Sequence, residues 1–153
     1  MSIDYIVASL PQLTFGLPAP LTREQFVDRC GGAIELPAEW RDLEAELRNA
    51  MVEARGGGSS AAMRFLRPVV GCRLYWRNRI AACFQERDVL KREELLDRVW
   101  WDAAGELVSP VSPLGKGALA AYSIRLDLAL KRDRISIDDG NAAFDRLTAE
   151  TRR

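Results

Sequence analysis

At 153 residues the chain is long enough for one domain with its own apolar core, and its mix of nearly half apolar and more than a quarter charged residues excludes a disordered chain. Its 22 basic and 22 acidic residues cancel, which removes the overall positive field that draws nucleic acid or anionic lipid. With no histidine, and three cysteines (Cys30, Cys72 and Cys83) that lack C-x-x-C spacing, it has no histidine-based triad, no usual zinc cage and no disulfide framework.

In chain order, residues 3–10 alternate at Ile3, Tyr5 and Val7 as a strand would, but no second strand exists to pair with them, so a short helix is expected. The opening MSIDYIVASLP has no basic leader region and carries Asp4, so it does not read as a signal peptide. Pro11, Gly16, Pro18 and Pro20 then mark an irregular stretch. Thr22 with Gln25 has capping-box spacing and opens a short helix that Gly31 and Gly32 end. Pro37 opens the next helix, where Trp40, Leu43, Leu47, Met51 and Ala54 recur at helical spacing. RGGGSS, residues 55–60, is expected to be a flexible loop.

From Arg67 to about Arg87 the pattern is helical again, with Val69, Cys72, Trp76, Ile80 and Cys83 on one stripe. Asp88 can cap a helix whose apolar residues are Val89, Leu95, Leu96, Val99 and Trp100, and Ala103-Ala104-Gly105 ends it. After Pro110 and Pro113, the helix at 115–133 has two apolar faces. Leu119, Tyr122, Leu126 and Leu130 form one, and Ala121, Ile124 and Leu128 the other, so it is expected to sit centrally between neighbours. Ser136 with Asp139 opens a last helix carrying Ala143, Phe144 and Leu147. The expected fold is all-α: a single compact domain, residues 1–153, of five to seven helices. No apolar run is long enough to cross a bilayer, and the expected location is cytoplasmic.

Charge is unevenly spread. Residues 1–55 carry a net of −4, residues 56–92 a net of +6, and the remainder a net of −2. A basic block between acidic flanks can pair with its own chain or with an acidic partner. On a helical wheel Arg73 falls inside the apolar arc and Arg77 at its border, where an arginine must snorkel, reach a carboxylate or meet a partner. Trp40, Trp76 and Trp100 lie on apolar stripes and read as core. Trp101 points about 100° from Trp100 and is either a seam or part of a docking patch. Arg73, Arg77 and Trp101 are therefore the candidate partner-binding residues.

Catalytic and cofactor signals are weak. Gly56-Gly57-Gly58-Ser59-Ser60 lacks the lysine of a phosphate-binding loop, and Gly115-Lys116-Gly117 reads as a helix start. Glu93, Glu94 and Asp97 lie near Lys91, Arg92 and Arg98 and read as helical ion pairs, as do the carboxylates Glu35 and Glu39 as a solvated face. The expectation is a non-enzyme without cofactor or metal that acts by contact with other proteins.

The residues also resemble a bacterial domain of unknown function encoded among V-type ATP synthase subunits. The resemblance is carried by YIVASLPQLTFG (residues 5–16), the Thr-Arg-Glu-Gln-Phe helix after it, the Arg77-Asn78 pair, and AYSIRLDLALKR…DDGNAAFDRL (residues 121–147). Members lie beside the E and A subunits, in the place expected for the cap that links the central stalk to the membrane ring. The resemblance implies a helical bundle in the style of the lobes of that cap, and a non-catalytic accessory or central-stalk component whose partners are the other proteins of a rotary ATPase. Such a component would be peripheral to the inner membrane through that complex, with no insertion of its own and no small-molecule substrate. The alternatives are a helical adaptor unrelated to ATPases, and a nucleic-acid binder using residues 64–92, where arginine and aromatics interleave in RLYWRNR.

Overall fold

The computed structural model describes residues 2–56, 59–68 and 73–135, with Ala142, Asp145, Arg146, Thr148 and Ala149 beyond them. The described residues form seven α-helices and no strand. The fold is all-α, as the periodicity requires.

Helix α1 spans Ile3–Ser9. Ser2 caps it by accepting the Tyr5 N–H, and Ile3, Ile6, Val7 and Leu10 then fall on one buried side while Tyr5 is exposed. The capping box is complete in both directions before α2, Arg23–Cys30: the Gln25 N–H donates to Thr22 Oγ1 at 3.2 Å, and the Thr22 N–H to Gln25 Oε1 at 2.9 Å. Gly31, at φ 74°, closes the helix in the left-handed region that favours glycine.

Helix α3 is Ala38–Gly56 and α4 is Ser60–Met63. The expected loop at 55–60 is thus mostly helix and cap. Arg55 and Gly56 end α3, Ser59 caps α4 through the Ala62 N–H and Ser60 begins it, while Gly57 and Gly58 lie outside the described residues.

Helix α5 is shorter than the expected span from Arg67, running only Leu74–Cys83. The reason is hydrogen bonding. Asn49 takes both the N–H and the carbonyl of Arg67, at 2.7 and 2.8 Å, and the Arg73 N–H goes to Glu46, so these groups are unavailable to a helical ladder. Val69 and Cys72 lie outside the described residues. Helix α6, Val89–Ala104, starts at Asp88, whose carboxylate accepts the Leu90 and Lys91 N–H groups. Leu96 and Val99 are buried as expected, but Val89 and Leu95 are exposed. A 3-10 turn, Gly105–Leu107, follows.

Helix α7, Lys116–Asp133, divides the interior as its two faces require. Leu119, Tyr122, Leu126 and Leu130 pack with Ile6, Leu21 and Phe26 in one cluster. Ala121, Ile124 and Leu128 face Trp40, Leu43, Leu47, Trp76, Ile80, Leu96 and Val99 in the other. The α1–α2 unit and the α3–α6 unit therefore share α7 as a common wall. Gly117 permits close approach at this wall, because a Cβ there would collide with the Leu107 carbonyl. Of the last expected helix, Ala142, Asp145, Arg146, Thr148 and Ala149 are helical; Ser136, Asp139, Ala143, Phe144 and Leu147 lie outside the described residues.

Candidate interaction surfaces

Helix α5 is fastened by charge. Arg73 pairs with Glu46 at 3.2 Å and with Glu106, whose other oxygen accepts the Trp76 indole N–H at 3.0 Å. Arg77 pairs with Glu53 at 2.8 Å, and Arg79 with Asp102 at 2.8 Å. Burial, which lowers the Arg73 pKa, is outweighed by Glu46 and Glu106, and the net direction is upward. The basic middle of the chain is thus tied to acidic residues on α3 (Glu46, Glu53), at the end of α6 (Asp102) and in the 3-10 turn after it (Glu106). Arg73 is not inside an apolar arc, as the wheel placed it: it is the residue before α5, beside the largely buried Glu46.

Trp101 is also placed differently. It is 8% exposed, with Phe15 edge-on at 5.5 Å between ring centroids and Arg125 over its face at 5.4 Å. Phe15 is in turn flanked by Arg98 and Arg132, at 5.0 and 4.9 Å. Trp101 is a seam between α6 and the 11–22 loop, and its face is covered by the protein itself rather than offered to a partner. The structure does not bring Trp101 together with Arg73 and Arg77 as one exposed patch. Trp40 and Trp76 are core as expected, while Trp100 is only partly buried.

Asp102 of α6 pairs along its own helix with Arg98 at 3.2 Å as well as with Arg79, whereas Asp97 and Glu94 bridge to α7. Asp97, buried, meets Lys131 of α7 at 2.7 Å, and Glu94 meets Arg132 at 3.4 Å. Among the described residues no three Cys, Asp or Glu side chains converge as metal ligands.

Sequence reasoning missed the polar stripe Glu46, Asn49 and Glu53 on α3. Its signal was there: three acceptors at i, i+3 and i+7 on one helix side, followed by an arginine-rich segment. That stripe seats Arg67, Arg73 and Arg77 along α3.

Two concave surfaces stand out among the described residues. The larger, a cleft of about 820 Å³, lies between α1, residues 30–39, the 3-10 turn and the start of α7. Its floor is Ile3, Ile6, Ile34, Leu36, Leu107 and Leu119, drawn from both apolar clusters. Its rim carries Glu35 and Arg41, paired at 3.6 Å, with Glu39 and Lys116, which make no ion pair among the described residues. A smaller groove of about 410 Å³ separates α3, α6 and α7 beside Trp100 and Leu128.

No protein-family model, curated protein or solved structure matches the chain. The functional reading therefore starts from these surfaces. No described helix is long and apolar enough to cross a membrane. The cleft is large enough for an apolar protein segment, and its mixed-sign rim can orient what lies in it.

Proposed function

We propose that this protein acts by protein–protein contact, as a non-catalytic accessory or central-stalk component of a V-type rotary ATP synthase. The observation that carries the contact reading is the open cleft of about 820 Å³, with its apolar floor and charged rim. Such a cleft fits an apolar segment of a partner protein, with Lys116 and Glu39 setting its direction. The ATPase assignment is supported by the resemblance in residues 5–16, at Arg77-Asn78 and in residues 121–147. A nucleic-acid reading is disfavoured, because Arg73, Arg77 and Arg79 are already paired within the chain.

The test is a pull-down with the full chain from native membranes. Recovery of the A, B and D subunits is the expected result, lost in a Lys116→Glu, Ile34→Ser variant that melts like the parent. Intact ATPase in the extract with none of it retained overturns the assignment, and a different stable protein partner supports an adaptor outside the ATPase instead.

A further inference from the structure

The smaller groove, of about 410 Å³ between α3, α6 and α7, carries more acid than the chain neutralises. Its apolar floor includes Trp40, Met51, Leu96, Trp100, Ile124 and Leu128. Its edge sets the carboxylates of Glu44, Glu93, Asp97 and Asp127 against two cations, Arg48 and Lys131. Both cations are already taken, Arg48 by Glu44 and Lys131 by Asp97, each at 2.7 Å. Glu93 has no ion pair among the described residues. Asp127 is reached by Arg23 at 3.4 Å, through the same nitrogen that donates to Ser123 Oγ at 2.8 Å, so its charge is weakly met.

The Glu94–Arg132 and Asp97–Lys131 pairs, with the Arg125 bond to the Trp101 carbonyl, set α6 and α7 antiparallel. Glu93 stands four residues before Asp97, and Asp127 four before Lys131. The two uncompensated carboxylates therefore lie on opposite sides of the Asp97–Lys131 pair, each about 6 Å from it along the helix axes and about 12 Å from the other. In the same register Trp100 of α6 falls level with Asp127 of α7. Phe15, Phe26, Tyr75, Trp76, Phe84 and Trp101 each have an arginine of this chain over the ring, whereas Trp100 has none among the described residues. Trp40 is 3% exposed and offers no face, so half-buried Trp100 is the open tryptophan of the groove. An indole beside a carboxylate attracts a cation.

We infer that this groove receives a helical segment of a partner protein, one with two basic side chains about two turns apart and apolar side chains between them. One basic group meets Asp127 and the Trp100 ring, the other meets Glu93, and the apolar side chains cover Met51 and Leu128. A helix rises about 12 Å in eight residues, and residues at that spacing share a face, so the segment matches the two carboxylates in length as well as in sign. A polyamine spans the same distance but leaves the apolar floor uncovered. The inference does not depend on the ATPase reading or on the larger cleft, since of the lining residues only Leu36 is common to both hollows.

The experiment is fluorescence anisotropy of a labelled amphipathic helical peptide, with leucines on one face and two arginines about eight residues apart, titrated with the full chain across a salt series. Saturable binding that weakens with salt is expected, and none for the same peptide with glutamates in place of the arginines. A Glu93→Gln, Asp127→Asn double variant should bind roughly 10-fold less tightly, and Trp100→Leu roughly 5-fold less. Asp4→Asn with Asp42→Asn makes the same change of net charge at exposed positions that line neither hollow, and should leave binding unchanged. Glu93 and Trp100 are half-buried and Asp127 is exposed, so melting like the parent keeps the comparison clean. No binding of the arginine peptide, equal binding by parent and groove variants, or an equal loss in the Asp4, Asp42 control overturns the inference. So does spermidine binding more tightly than the peptide with Trp100→Leu affecting neither, for the site then belongs to a polyamine.

Discussion

Asn49 holds Arg67, just after α4, in place, and removing it tests that reasoning most directly. Its side-chain amide donates to the Arg67 carbonyl at 2.8 Å, and its carbonyl oxygen accepts the Arg67 N–H at 2.7 Å. Asn49 is buried, whereas Arg67 lies at the surface. In Asn49→Ala both bonds are lost, each with a net value of about 1 kcal/mol. Water can reach part of the Arg67 backbone, so the further penalty for a stranded buried group is small, and the expected loss is about 2 kcal/mol. Asn49→Asp keeps the acceptor but sets a buried carboxylate oxygen against the Arg67 carbonyl, so it should cost at least as much as the alanine. Urea unfolding followed by tryptophan fluorescence measures both, with unchanged slope if only the native state is affected. Trypsin supplies the local readout: cleavage after Arg64 should quicken in Asn49→Ala under conditions where the rest of the chain stays folded. Stability within about 0.5 kcal/mol of the parent, with no change at Arg64, would refute the clamp.

The ion pairs and seams give further tests. Arg73→Ala strands the largely buried Glu46 and should cost about 2 kcal/mol, below the fully buried range because Arg73 itself is half exposed, whereas Arg41→Ala, at an open pair with Glu35, should cost under about 0.5 in the same urea titration. Trp101→Ala removes a buried ring and its Phe15 and Arg125 contacts, and should cost about 3–5 kcal/mol by thermal melting. Gly117→Ala forces the start of α7 away from the Leu107 carbonyl, and calorimetry should show a loss of about 1–3 kcal/mol. The Tyr122 hydroxyl donates to the Pro11 carbonyl at 2.9 Å, and burial raises its pKa. Below about pH 10 both folded and unfolded chains keep that proton; above it the unfolded chain loses it first, so stability falls as pH rises. Tyr122→Phe should flatten this alkaline loss in urea midpoints taken from about pH 9 to 11.

The elements of this fold whose cause is local were legible in the sequence. The Thr22–Gln25 box, the Asp88 cap and the Gly31 terminus each depend on residues a few positions apart, and each is present. The two faces of α7 were legible for the same reason: helical spacing alone puts Leu119, Tyr122 and Leu126 opposite Ala121 and Ile124, and both faces then bury. What tertiary structure decided was the fate of groups whose partners are distant in sequence. The wheel gave Arg73 a helical position, but Glu46 and Glu106 hold it just before α5, and Asn49 takes the Arg67 backbone. The same wheel turned Trp101 outward from the α6 stripe, where Phe15, far back in an irregular stretch with no periodicity, arrives to cover it. The cleft, too, is lined by residues from three separate stretches, 3–6, 30–41 and 106–119, and no single window of sequence contains it. Periodicity reports which side of a helix is apolar; only packing determines which neighbour meets each side and which of those residues stay exposed.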